Sequence, residues 1–175
     1  MSHISTAVEY GLHCLLLLAP SDGAATEASA RDLAHLQGVS PDYVAKLFTK
    51  LSKAGLVNAT EGARGGFTLA RPAEQISVLD VVDAIDGRKD LFECREIRAR
   101  CALFDGDAPR WATQGVCSIH AVMLEAEQSM RQVLARHTLA DIGNRVAAKA
   151  PPGFGTEVIT WLDQRASGRR GDAEC

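Results

Sequence analysis

Two short amphipathic segments separated by a single glycine constrain this chain more than any other feature. Ser29 stands as an N-cap before Ala30–Gln37, whose apolar side is Ala30, Leu33, Ala34 and Leu36. Gly38 stops that segment, and Ser40-Pro41 opens a second one with a capping serine and a proline at the first helical position. The second segment runs Pro41–Ala54 with Val44, Leu47, Phe48 and Leu51 on one stripe, and Gly55 follows at its end. Two helices joined by so tight a turn make a helix-turn-helix. The next residues extend the motif. Leu56–Ala59 and Phe67–Leu69 alternate as strands around the glycine-rich stretch Glu61–Gly66, which gives a β-hairpin directly after the second helix. A hairpin there is a wing, and its glycines let the tip approach a phosphate backbone, with Arg64 placed to enter the minor groove.

Charge agrees once it is read locally. The 175 residues carry a net charge of −3, yet Arg31 to Arg71 hold six Lys/Arg against three Asp/Glu. A basic head on an acidic body suits a DNA binder. With the core stripe assigned, Tyr43, Lys46, Thr49, Lys50 and Lys53 remain on the outward face of the second helix. Ser40, Tyr43 and Lys46 lie toward its N-terminal end, the end with which recognition helices read bases, and Lys50 adds a cation further along. The plain alternative is a solvated helix face.

Flanking segments complete a mainly α fold with a small β-wing. Residues 4–19 have helical apolar spacing, and Ser77 caps Val78–Asp86. Ser118–Arg136 reads as a long helix whose face of Ile119, Val122, Met123, Ala126, Met130 and Val133 is wider than one small domain needs, which predicts a homodimer. Thr138 to Asp141 form a capping box before another short helix. The division expected is therefore a winged helix-turn-helix domain at 1–87, a cysteine-bearing loop at 88–117, a dimerisation helix with a closing helix at 118–148, and a C-terminal extension at 149–175. In that extension 156–164 is expected to add a turn or two of helix, and the end from Ser167 to be unstructured. No stretch nears the roughly 20 apolar residues of a membrane span, and a cytoplasmic, reducing setting is expected.

In that setting five cysteines, three of them between residues 94 and 117, point to metal or redox chemistry before disulfides. Cys94, Cys101 and Cys117 are spaced C-x6-C-x15-C, a loop able to wrap a soft metal or an iron–sulfur cluster; zinc fits less well, since the paired knuckles of a zinc ribbon are lacking, yet stays open, and three unrelated free thiols are the plain alternative. A further ligand is needed. His120 lies three residues after Cys117, and Glu9 and His13, four apart, share one face of the first helix. Thr6 to Glu9 also reads as a plain capping box, and Cys14 points about 100° from His13, toward the core. The alternatives are a cluster-free regulator that senses oxidation through its thiols or a small ligand, and a small thiol-dependent enzyme. The last lacks any nucleophile with a base at identifiable spacing.

The runs VSPDYVAKLFTKLSKAGLV (39–57), GARGGFTLARP (62–72) and ISVLDVVDAIDG (76–87) resemble the Rrf2 family of bacterial winged-helix regulators, over residues 1 to about 142. The resemblance implies a dimer built on a long helix, double-stranded operator DNA as partner, and a [2Fe–2S] or [4Fe–4S] cluster held by three loop cysteines and one further ligand. Of the two clusters, [2Fe–2S] is the expectation. One branch of the family takes a Glu and a His from the first helix, where Glu9 and His13 stand. Another takes a His three residues after the last cysteine, where His120 stands. The second cysteine gap, fifteen residues, is longer than the family's usual spacing.

Overall fold

A computed structural model describes residues 3–19, 26–60 and 65–171, with side chains through Ser167. It divides into two compact units. One comprises 1–88 and 134–175, the other 89–133. Residues 118–148 are thus shared between them.

The first unit is built on α1 (Thr6–Leu17), α2 (Ala30–Gln37), α3 (Pro41–Lys53) and α4 (Val78–Asp86), with a hairpin between α3 and α4. Three caps form as the sequence indicates, whereas the Thr6–Glu9 box does not: Thr6 lies inside α1, whose N-cap Ser5 makes no side-chain capping bond. Ser29 accepts from the Asp32 amide and Ser40 from the Tyr43 amide, and Ser77 and Asp80 close a reciprocal capping box. Gly38 has φ +65°, a left-handed conformation that lets α2 end and the chain turn at once into α3. Val44, Leu47, Phe48 and Leu51 of α3 are buried against Val8, Leu15, Leu33, Leu56, Val81 and Ile85, so one core joins all four helices. Gly11 of α1 is buried against Val81 and Ile85 of α4, a crossing where a side chain has little room.

The hairpin is β1 (Val57–Ala59) paired antiparallel with β2 (Phe67–Leu69), Val57 opposite Leu69 and Ala59 opposite Phe67. Ala28, just before α2, adds a bridge to Phe67 through two backbone hydrogen bonds of 3.2 and 2.9 Å. This ties the wing to the start of the helix-turn-helix. The tip, with Arg64, lies outside the described residues.

The later part of the first unit holds α7 (Leu139–Ala147) and α8 (Phe154–Gly171). α7 opens with the Thr138–Asp141 capping box, and the Leu139 amide donates to the Ile76 carbonyl at 2.9 Å. The extension differs from its sequence reading. α8 is continuous from Phe154 to Gly171, well beyond a turn or two, and it enters the stretch expected to be unstructured as far as Gly171, the rest of that stretch lying outside the described residues. The cause is tertiary: Leu162 is fully buried, and Val158 and Trp161 pack on the core of the first unit.

The second unit contains short 3-10 turns at Arg98–Arg100 and Ala102–Phe104, then α5 (Arg110–Thr113) and most of α6 (Ser118–Arg136). It leaves much apolar surface open in the single chain, with Leu103 90%, Trp111 76%, Ile119 64% and Val122 62% exposed.

Gly66 is buried in the hairpin, and a Cβ there would stand 2.7 Å from the Glu27 side chain and 3.2 Å from the Ala28 backbone. Gly66→Val is therefore expected to lower stability by about 1–3 kcal/mol through overpacking at the wing's root. Urea unfolding checks this, with an unchanged midpoint counting against it.

Candidate functional site

α3 presents two faces. Its buried stripe fixes the helix, and Ser40, Ala45, Lys46, Thr49, Lys50 and Lys53 are left exposed. Lys46 is exposed on this face, about one turn from the N-terminal end, with no hydrogen bond or ion pair among the described residues. Two outward residues are engaged elsewhere. Tyr43 is half-buried, its ring edge-on to Tyr10 of α1 at 5.6 Å, and burial, with Tyr10 and Cys14 nearby, pushes its hydroxyl up from the ordinary phenol range. Lys50 donates through Nζ to the Ile85 carbonyl at 2.6 Å, in the last turn of α4, where a cation offsets the negative end of the helix. Helical periodicity placed both outward, and only the position of α1 and α4 shows what they meet.

The cysteines fall into two groups. Cys14 is fully buried in α1, and desolvation pushes its thiol up to about 12, which marks it as core. Cys94 and Cys117 are half-buried and Cys101 is exposed, all three in the second unit. Arg98 organises their loop. Its Nε and Nη2 each donate to the Glu96 carboxylate at 2.6 Å, and Nη2 also donates to the Thr113 and Gly115 carbonyls at 3.1 and 2.9 Å. One guanidinium thus fastens the arm that carries Cys94 to the arm that leads into Cys117. Glu96 holds that guanidinium protonated, and Cys117 and Cys94 lie close enough to act in the same direction. His120, in the first turn of α6, lies near Glu96 and beside the ring of Phe92, with centroids 6.1 Å apart. Sequence reasoning missed Arg98. Glu96 reaches it from a left-handed conformation with φ +46°, and Thr113 and Gly115 are 15 and 17 residues away, so no local pattern announces the clasp.

Glu9 and His13 occupy one exposed face of α1 in the first unit. They border an open groove of about 510 Å³ lined mostly by apolar side chains, Leu12, Leu16, Val82 and Ile142 among them. Among the described residues no three His, Cys, Asp or Glu side chains converge closely enough to hold a metal ion. The chemistry of the second unit's donor set nevertheless suits an iron–sulfur centre: three thiols and an imidazole on one short stretch, beside a guanidinium that offsets the charge of thiolates.

A capped helix-turn-helix with a hairpin wing, an exposed cationic face on its second helix and a long helix with open apolar side chains define a winged-helix DNA-binding regulator. The family model described as "Rrf2: Iron-dependent Transcriptional regulator" matches residues 4–145, and the chain belongs to the Rrf2 family. It is 37% identical over 139 residues to protein rrf2 of Nitratidesulfovibrio vulgaris, a match covering 79% of this chain and 85% of that one. Among solved structures it is similar to T. potens IscR, with TM-score 0.60, 26% identity, and 87% and 95% of the two chains covered. It is likewise similar to the oxidized form of Staphylococcus aureus CymR, with TM-score 0.58, 25% identity, and 81% and 96% covered. The protein is a DNA-binding transcriptional regulator, and the sequence reading of a regulator in place of an enzyme agrees with these relatives. Among the described residues no helix is long and apolar enough to cross a membrane.

Lys50→Met is expected to cost about 1 kcal/mol of stability by leaving the Ile85 carbonyl at the α4 terminus without this donor, read as a lower urea midpoint; an unchanged midpoint contradicts the capping role. Cys14, with its thiol near 12, holds only on the order of one thiolate in ten thousand at pH 8. Folded protein stripped of iron and treated with iodoacetamide at that pH should carry label on Cys94, Cys101 and Cys117 but not on Cys14, and early labelling of Cys14 contradicts its burial.

Proposed function

We propose that this regulator binds its operator as a homodimer and that its affinity is set by an iron–sulfur centre held by Cys94, Cys101 and Cys117. The observation that carries the reading is the Arg98 clasp, which gathers Cys94 and Cys117 about one cation in a chain of an iron-dependent family. Glu9 and His13 on α1, of the same chain or of the partner, are the favoured further ligands, with His120 as the alternative. A [2Fe–2S] centre is favoured over [4Fe–4S], because a carboxylate or imidazole in place of thiolate suits one iron of a two-iron centre. When bound, the group supplies an oxidation state or an exchangeable ligand that responds to redox potential, nitric oxide or iron supply. Arg98 holds the two arms of the loop together and balances thiolate charge. The loop leads straight into α6, whose open residues Ile119 and Val122, with the half-buried Met123 and Met130, are proposed to pair with a second copy. Pairing would set two recognition helices about 34 Å apart, one turn of DNA.

For DNA contact the reading rests on Ser40 and Lys46 at the leading part of α3, with Arg64 in the wing. Tyr43 and Lys50 would act mainly by holding α3 in place. A second reading, a cluster-free thiol sensor, is favoured by the exposed Cys101 and by the likeness to the oxidized form of CymR.

Anaerobically purified protein is expected to be coloured and to contain iron and sulfide in equal amounts. Cys101→Ala and Cys117→Ala should abolish the colour, whereas His13→Ala should shift the spectrum. Bleaching by His120→Ala with a silent His13→Ala assigns the further ligand to α6, and protein with no iron or sulfide leaves the thiol-sensor reading. On the DNA side, Lys46→Ala should weaken operator binding and lower the salt slope by about one unit for a phosphate no longer neutralised. Val122→Glu should give monomers by light scattering, and a dimer that persists places the interface elsewhere.

A further inference from the structure

Among the described residues of α6 one side chain is buried, and it is a carboxylate. Glu127 is 9% exposed, whereas Ile119, Val122 and Val133 of the same helix stay open in the single chain. A charged group in such a place costs free energy unless it is hydrogen-bonded. Main chain meets it here: the Leu91 amide donates to Glu127 Oε2 at 3.1 Å, across 36 residues. Both residues belong to the second unit.

Leu91 lies three residues before Cys94, on the first arm of the cysteine loop. The next residue, Phe92, sets its ring beside that of His120. Glu127 and His120 share one face of α6, seven residues or about 10.5 Å apart. The arm therefore meets α6 at Glu127 and heads for the N-terminal end of the helix, which Cys117 precedes. Farther on, Arg98 fastens the same arm to the Thr113 and Gly115 carbonyls. Cys94 thus lies between two anchors, Leu91 three residues before it and Arg98 four residues after it. The first of them sets how far along α6 the arm begins, and so where Cys94 falls relative to Cys117.

We propose that Glu127 is the positioning residue of the cysteine loop: by holding the Leu91 amide it places Cys94 against Cys117 at the head of α6. As the placement of a cluster ligand this rests on the iron–sulfur reading; as the placement of a thiol it stands without it. Glu127 acts through Leu91 and is no ligand itself, since ten residues of chain, about 15 Å of helix, separate it from Cys117.

The test uses the full-length chain in two states. In the first, iron is stripped, thiols are kept reduced, and alkylation of the half-buried Cys94 by iodoacetamide is followed by mass spectrometry, with the exposed Cys101 as reference. Glu127→Ala is expected to raise the Cys94-to-Cys101 rate ratio about fivefold or more, as the loss of one hydrogen bond to a charged group allows. Glu127→Gln keeps an oxygen for the Leu91 amide and should stay within about twofold of the natural chain. In the second state, protein purified anaerobically should show visible circular dichroism that shifts in Glu127→Ala and is restored in Glu127→Gln. An unchanged ratio in Glu127→Ala overturns the inference. So does an equal rise in both variants, because the hydrogen bond would then not be its cause. An unshifted spectrum in iron-loaded Glu127→Ala overturns the placement of a cluster ligand. A natural chain without iron or sulfide removes the iron–sulfur reading alone, and the alkylation ratio still decides the role of Glu127. Should Glu127→Ala fail to fold, hydrogen exchange on the natural chain decides: a slow Leu91 amide supports the anchor, and one as fast as an exposed loop overturns it.

Discussion

Phe48 is fully buried on α3, and its ring meets that of Phe67 on β2 with centroids 4.6 Å apart. Through this one contact the recognition helix and the wing share a core. Phe67 is also the residue whose backbone bridges to Ala28 at the entrance to α2. A ring pair adds about 0.5–1.5 kcal/mol beyond the area it buries, and here it also sets geometry. The hairpin cannot swing without disturbing α3, and α3 cannot rotate without exposing Val44, Leu47 or Leu51. A rigid stripe on the inside is the condition for a defined face on the outside. The outward cations of α3 hold defined positions because the apolar side chains opposite them are fixed in the core.

The same logic separates α3's polar residues into two kinds. Tyr43 and Lys50 leave the helix on its outward side yet return to protein, one to Tyr10 and the other to the Ile85 carbonyl. They brace α3 against α1 and α4. Lys46 and Lys53 have no such anchor among the described residues, and both stay exposed on this face. A face that looked uniform in sequence therefore divides into residues that brace the helix and residues left to solvent.

What was legible in the sequence was local. Serine and threonine caps, the Ser40-Pro41 start, glycine stops and the helical apolar stripes place α2, α3, α4, α6 and α7 within a residue or so, and the alternating segments place the hairpin. Each signal acts within four residues of the bond it makes. Long-range pairs stayed hidden: Arg98 with the carbonyls of Thr113 and Gly115, Lys50 with Ile85, Arg165 with Asp32. α8 was under-read for the same reason. Its anchors Trp161, Leu162 and Arg165 are few, and its helix depends on a surface of α2 that adjacent residues do not reveal. The cysteines stood out by spacing, yet spacing along a chain gives donor types and not their distances.

Control of the DNA-reading face by the state of the cysteine loop is tested most directly by comparing one preparation before and after removal of its iron. Protein purified anaerobically is bound to a duplex spanning its protected site, then stripped with a chelator under the same anaerobic conditions and titrated again with its thiols kept reduced. A change in affinity of tenfold or more is expected, with the far-ultraviolet circular dichroism of the winged-helix unit unaltered. Equal affinity in the two states would contradict that control, and the loop would then have no hold over the helix that reads DNA.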